Sequence, residues 1–98
     1  MSLKKYISNP QSGTATATGT QGSIFDLASL TVNSTNGVVM IQVLSTEASG
    51  VEVIGIGGTV GIVIENDGVA VPFYSDDLKK IEVKRVGATD ITFRFFAF

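Results

Sequence analysis

The chain has 98 residues, of which 44% are hydrophobic and 16% charged, and its net charge is -2 at pH 7. This length corresponds to one domain, and the hydrophobic content is too high for a disordered chain. There is no histidine and no cysteine, which excludes the most common general base, the most common metal ligand and all thiol chemistry. The composition therefore predicts a protein that is not an enzyme and that has no cofactor.

Charge and hydropathy also limit the kinds of partner. The basic groupings are short, and none forms a clustered positive excess of the kind that nucleic-acid-binding surfaces show: Lys4 and Lys5, Lys79 and Lys80, Lys84 and Arg85. The longest apolar run, residues 37–44, contains Gln42 and is far shorter than the roughly 18 residues of a membrane span. We therefore expect neither a nucleic-acid partner nor a membrane partner. The N-terminal residues also lack the apolar stretch of a secretory signal.

Residues 1–22 differ in composition from the rest of the chain. Asn9 and Pro10 form a turn signal, and a stretch of alternating threonine and alanine with several glycines follows. The alternation is compatible with a β-strand, yet alanine is too small to anchor a core strand. We interpret residues 1–22 as an extended arm or edge strand attached to a single β domain, residues 23–98. A flexible linker is the alternative.

From residue 23 onward, short apolar segments are separated by turn signals about every 8 to 12 residues. No window keeps a helical period over three turns, and residues 76–80 could form at most one helical turn. The sequence therefore predicts an all-β fold of about seven to nine short strands with an extended N-terminal arm. An antiparallel β-sandwich of jelly-roll type and a small β-barrel both fit this pattern.

Three polar segments that contain glycine are typical of hairpin turns: residues 33–37, 66–68 and 87–90. The first predicted strands of the domain are residues 24–27 and 30–32. Residues 38–44 are apolar on both faces apart from Gln42, so we expect them in the middle of a layered structure or with their second face covered. Pro72 cannot donate a ladder hydrogen bond, which places its strand at a sheet edge or at a bulge.

Acidic and glycine-rich segments give only weak signals for chemistry. The carboxylates lie mainly in turns or on polar strand faces, where solvated acids are usual, so no catalytic pair is predicted. Residues 66–68 and 75–77 are oxygen-rich and compatible with calcium, but Asx turns explain both, and no metal site is predicted. Residues 55–61 lack the lysine and the helix of a phosphate-binding loop. Their glycines are expected to allow a bulge or a close backbone approach.

The C-terminal strand, residues 91–98, has one apolar face and one mixed face. The mixed face begins with Thr92 and Arg94 and ends with Phe96 and Phe98, so two aromatic rings lie where solvent is expected. Either another part of the domain covers these rings or they meet a neighbouring chain, since aromatic residues are enriched at interfaces. We predict an oligomer or partner interface formed by Phe96, Phe98, Arg94, Met40, Leu44 and Tyr6.

A glycan-binding surface is the alternative interpretation. Such a surface requires an exposed aromatic ring beside polar groups, and Tyr74 with Asp76 and Asp77 is the candidate. The chain has no tryptophan, the aromatic residue best suited to stacking, and this weakens the interpretation.

The chain resembles the head decoration (cement) proteins of tailed bacteriophages in several features. These are its small size, the Thr/Ala/Gly-rich N-terminal segment, the short Val- and Ile-rich strands, the aromatic C-terminal strand and the absence of Cys and His. The resemblance covers the whole chain, but in style, without a signature motif. It implies a structural protein that binds the outside of an assembled capsid as a symmetric oligomer. A trimer is favoured, and the partner would be the major capsid protein.

The same resemblance implies a location on the capsid surface of the virion, after assembly in the host cytoplasm, and no small-molecule substrate. A second and less close resemblance is to the small β-sandwich modules of phage tail fibres, which grip host glycans.

Overall fold

The computed structural model describes residues 9–98, and most of the regular structure is β-sheet. The strands are β1 (Gln11–Ala17), β2 (Gly22–Ser23), β3 (Val38–Gln42), β4 (Val51–Gly55), β5 (Ile62–Ile64), β6 (Ala70–Tyr74), β7 (Ile81–Arg85) and β8 (Ile91–Ala97). One α-helical turn, α1 (Ile24–Leu27), precedes β3, and one 3-10 turn, Leu78–Lys80, precedes β7.

The strands form two antiparallel sheets of four strands, which we call the first sheet (β1-β8-β3-β6) and the second sheet (β2-β7-β4-β5). β4 pairs with β5, β3 with β6, β2 with β7 and β1 with β8. The chain thus follows one long hairpin that is rolled up, and rolling brings β3 beside β8 and β4 beside β7. This topology is a jelly roll, which confirms the predicted all-β sandwich.

The core lies between the two sheets. Along β8, every second residue is buried, as the period of a half-buried strand requires: Ile91, Phe93, Phe95 and Ala97. β3 lies between β8 and β6 and contributes Val39 and Ile41 to the core. The expected place in the middle of a layered structure is wrong, because the sandwich has only two layers and the other side of β3 is half-buried on the outside of its sheet. Val51 and Val83 complete the core from the second sheet.

β1 is an edge strand of the first sheet. It pairs with β8 over its whole length, from Gln11 opposite Ala97 to Ala17 opposite Ile91. Ala15 and Ala17 are buried although alanine is small, because the large side chains of β8 fill the space beside them. A Cβ at Gly13 would lie 3.5 Å from the ring of Phe95. The first eight residues of the expected arm lie outside the described part of the chain.

The predicted strand at residues 24–27 is wrong, because this segment forms α1. Ile24 and Phe25 are adjacent in sequence and both fully buried. In a strand, neighbouring side chains point to opposite faces, so one of them would leave the core. A helical turn directs both inward, and the ring of Phe25 packs edge-on against Phe95 at 5.6 Å. The strand expected at residues 30–32 is also absent.

The three predicted hairpin turns are wrong as well. Residues 33–37 lead from the second sheet to the first, residues 66–68 lead from β5 to β6, and residues 87–90 lead from β7 to β8. Each therefore crosses between the sheets. A turn residue signals a reversal of the chain, but it does not specify whether the next strand pairs with the last one or packs across the core from it. β4 and β5 are consecutive strands that do pair.

The expected edge position of Pro72 is confirmed, since β6 is the outer strand of the first sheet beside β3. The Ser75 amide donates to the Gly37 carbonyl, so odd-numbered β6 residues form the ladder with β3. Pro72 then directs its nitrogen, which carries no hydrogen, toward the free edge. The 3-10 turn Leu78–Lys80 confirms the single helical turn expected within residues 76–80.

Candidate functional site

The outward side of the first sheet, which we call the outer face, is uncharged except at one residue. Strand alternation with the buried residues defines its members: Ser12, Thr14 and Thr16 on β1, Thr92, Arg94 and Phe96 on β8, Val38, Met40 and Gln42 on β3, and Ala70, Pro72 and Tyr74 on β6. The β1 part of this face is polar and uncharged, and the part near β6 is apolar.

Six residues gather at one end of the outer face, and we call them the apolar patch: Val38, Met40, Pro72, Tyr74, Phe96 and Phe98. Met40 lies between Phe96 and Pro72 in the strand register. Val38 lies opposite Tyr74 and exchanges backbone hydrogen bonds with Phe98. The rings of Phe96 and Phe98 are 5.9 Å apart and tilted, and Phe96 remains 40% exposed.

Arg94 borders the apolar patch. It lies between Thr14 and Gln42 in the register and two residues before Phe96 on the same side of β8. With Met40 and Phe96 it lines a shallow cavity of about 120 Å³. Arg94 is exposed, and among the cations of residues 9–98 it alone has no carboxylate partner.

The outward side of the second sheet has a different character. Glu52, Glu82 and Lys84 project from β4 and β7. Lys84 lies 4.0 Å from Glu52, and Glu82 accepts a hydrogen bond of 2.9 Å from Gln21. This side is the usual solvated face of a sheet, whereas the outer face of the first sheet lacks the charges that normally cover a free surface.

The structure brings together four of the residues predicted for the interface. Phe96, Phe98 and Met40 belong to the apolar patch, and Arg94 lies beside it. Leu44 is half-buried beyond the end of β3, and Tyr6 lies outside the described residues.

Sequence reasoning missed Val38, Pro72 and Tyr74 as members of the same patch. Their alternation with Val39 and Phe73 was visible in the sequence, but the pairing of β6 with β3 was not.

The three residues of the glycan hypothesis lie in different surroundings. Tyr74 is 75% exposed at the end of β6 and lines a cavity with residues of β4 and β5. Asp76 pairs with Lys80 at 3.3 Å, and Asp77 accepts from the backbone amide of Lys79 at 3.0 Å. Both aspartates line a separate cavity of about 350 Å³. The glycan hypothesis stays a prediction, without a common cavity for its three residues.

A second apolar surface lies on the β4–β5 hairpin, where sequence reasoning expected only a structural role for the glycines. Ile56, Val60, Ile62 and Val63 are all exposed. Ile56 and Val60 lie in the loop, and Ile62 and Val63 lie on β5, an edge strand of the second sheet. The close backbone approach expected in this segment is confirmed at Gly61, which lies against the carbonyl of Val53.

No group of three or more acidic residues among residues 9–98 is arranged to hold a metal ion. Several carboxylates are already engaged in local structure: Glu47 accepts from the Thr92 amide at 2.7 Å, and Asp67 accepts from the Val69 amide at 3.0 Å. Within this same part of the chain, no helix combines the length and hydrophobicity needed to traverse a bilayer.

Comparison of the chain with protein-family profiles, with curated proteins and with solved structures found no match. Function is therefore inferred from the surface chemistry of the molecule itself.

Proposed function

We propose that this protein is a structural protein that acts by protein–protein contact, as a decoration (cement) protein that binds the outside of an assembled bacteriophage capsid as a symmetric oligomer. The observation that supports this proposal is the outer face of the first sheet, which is regular, mostly uncharged and apolar at one end.

Apolar and aromatic surface of this kind gains free energy when another protein covers it. Phe96 and Phe98 are neighbours at the edge of the patch and are both partly exposed. Covering the remainder of each ring gains a part of the about 1.5 to 3 kcal/mol that burial of a fully exposed side chain of this kind contributes. Soluble monomers rarely expose contiguous apolar patches, and such patches commonly mark sites where another protein binds. Interfaces are also poor in Lys and Glu, as is this face.

The jelly roll is compatible with the proposal, since the fold occurs in viral capsid and lectin domains. It supports the function by analogy alone, because one fold hosts many functions. A decoration protein needs no catalytic group. Because many copies bind one symmetric shell, the affinity of each single contact can be low.

Co-sedimentation tests the proposal. The purified protein is mixed with assembled capsids of the phage that carries its gene and, separately, with unassembled capsid subunits. We expect it to pellet with the capsids and not to associate with the subunits. Size exclusion with light scattering on the protein alone should show a closed oligomer. A monomer that fails to pellet would contradict the proposal.

A matched pair of variants on the outer face tests the role of the apolar patch. Phe96→Asp with Phe98→Asp should abolish oligomer formation or capsid binding and leave the far-UV circular dichroism unchanged. Thr16→Asp with Thr92→Asp adds the same charge at the polar end of the face, where these residues are paired neighbours and exposed, and should have little effect. Unfolding of the first variant would instead assign both rings to the core of the monomer.

The glycan-binding module remains the alternative. Tyr74 offers an exposed ring, but the nearby aspartates already serve a lysine and a backbone amide. Binding of the protein to glycans, abolished by Tyr74→Ala and unaffected by the Phe96 and Phe98 variants, would favour this alternative over the decoration function.

A further inference from the structure

Two charged side chains of opposite sign have no partner in the described part of the chain. All nine acidic residues lie within residues 9–98. Eight of them accept a hydrogen bond or form an ion pair. The exception is Glu65, which is exposed. The cation without a carboxylate partner is Arg94.

The position of Arg94 restricts what can cover the outer face. Its neighbours are Phe96 along the strand and Gln42 and Thr14 across it, so the face itself offers no anion. A protein that buries this face and supplies no carboxylate would leave Arg94 as a desolvated cation without a counter-charge, which is strongly unfavourable. The occupant of the face must therefore carry an acidic group next to an apolar side chain.

The surface around Glu65 has this composition. Glu65 directly follows β5, an edge strand of the second sheet. Val63 lies two residues earlier, is 44% exposed, and alternates with the buried Ile64, so Val63 and Glu65 lie on one side of the chain. Val63 and Glu65 are thus two positions apart with one residue between them, as are Arg94 and Phe96.

We propose that the outer face of one copy of this chain receives the β5 edge of a second copy, with Glu65 paired to Arg94 and Val63 packed beside Phe96. When the two segments run antiparallel, both contacts form together. A carboxylate beside a guanidinium makes charge-assisted hydrogen bonds, which are stronger than neutral ones. The assignment deepens the proposed function, since it specifies the contact that builds the oligomer.

The contact joins two different surfaces and is therefore heterologous, the kind that forms a ring when the rotation between copies closes. Face-to-face packing of two outer faces is disfavoured, because Arg94 of both copies would be covered and neither face supplies a carboxylate. Addition of a strand to the β6 edge is also disfavoured, because Pro72 lacks the N–H that would point to the new strand.

Charge exchange tests the contact. Arg94→Glu and Glu65→Arg are made separately and together, and association is measured by size exclusion with light scattering and by sedimentation velocity. Each single variant should weaken association at least about tenfold, because two like charges then meet. The double variant should restore the oligomer, since the pair is present with its charges exchanged. Asp67→Arg, which makes the same charge change two residues beyond Glu65, should leave the oligomer unchanged.

Failure of the double variant to reassemble, with circular dichroism and urea unfolding like those of the wild type, would overturn the inference. An oligomer that is unaffected by the single variants, or a wild-type protein that is monomeric, would also overturn it.

Capsid co-sedimentation of the same variants separates the two proposals. If Arg94→Glu abolishes pelleting while the oligomer persists, the outer face binds the shell and not a second copy, so the inference fails and the proposed function stands. If the charge exchange behaves as expected and the wild-type oligomer does not pellet, the inference stands and the proposed function fails.

Discussion

Gly61 stands where two backbone segments of the β4–β5 hairpin approach more closely than any side chain would allow. A Cβ at this position would collide with the carbonyl of Val53. The Gly61 amide also donates a hydrogen bond of 2.8 Å to the Glu52 carboxylate. This bond holds the loop against β4. Gly57 in the same loop has a positive φ of 78°, where other residues are strained. The hairpin geometry therefore depends on particular glycines.

Gly61→Ala should lower the free energy of unfolding by about 1 to 3 kcal/mol, because the added methyl group forces the two backbones apart. Urea denaturation monitored by circular dichroism measures the change. Gly55→Ala is the matched control, since nothing lies within 4 Å of a Cβ built there, and it should change stability by no more than about 0.5 kcal/mol. Equal effects of the two substitutions would show that the contact with Val53 is unimportant.

α1 illustrates how one short element closes a sandwich. Its main backbone neighbours are β1, β2 and β7, so it lies on the side of the molecule where both sheets end in β1 and β2. Ile24 and Phe25 are fully buried there. On the opposite side, between the edges β5 and β6, a cavity of about 280 Å³ remains, lined by Ile62, Phe73 and Tyr74 among others. One side of the sandwich is thus closed by its own chain, and the other is open.

Phe25→Ala should destabilise the protein by about 3 to 5 kcal/mol, because it removes a buried ring and its edge-on contact with Phe95. This is a large fraction of the total stability of a small domain, about 5 to 15 kcal/mol. Leu30→Ala, just beyond α1 at a residue that is 41% exposed, is the control and should cost about 1 kcal/mol or less. A loss at Phe25 no larger than that at Leu30 would mean that α1 does not contribute to the core.

At the scale of the whole molecule, the jelly roll pairs residues that are far apart in sequence. Gln11 lies opposite Ala97, and Gly22 lies opposite Val83. Most connections between consecutive strands cross from one sheet to the other. The strands cannot form a stable sheet until distant parts of the chain have met, and the loop-closure entropy must be lost before the contacts form.

Refolding should therefore be slow for a chain of this size, with a main phase between about a millisecond and seconds, as in other β-sandwiches. Stopped-flow dilution from urea, followed by circular dichroism, measures this rate. A main phase in the microsecond range would contradict the topology, because it would require that local contacts dominate folding. A refolding rate that is the same at low and high protein concentration would establish that the monomer folds before it associates.

Features that depend on neighbouring residues in the sequence could be predicted, whereas features that depend on residues far apart in the sequence could not. The alternation along β8 identified its core face, and the proline of β6 identified an edge strand, because both depend on local backbone geometry. The β propensity of Ile24 and Phe25 favours a strand, yet both side chains are fully buried, which only a helical turn allows here. The turn residues predict where the chain reverses, but they do not predict hairpins, because distant strands decide which strands pair.

The sequence by itself determined which side chains are available for chemistry, and without histidine and cysteine it lacks the usual catalytic groups. Its short apolar segments separated by turns also specify an all-β fold. The sequence further placed Phe96 on the outward side of the last strand. Only the tertiary structure decided that Phe96 lies beside Met40 and Pro72, and that Arg94 stands without a carboxylate while Glu65 stands on the edge of the other sheet. Alternation fixes the face of a strand to which a side chain points, whereas strand order and register fix its neighbours, and these depend on how the whole chain rolls up.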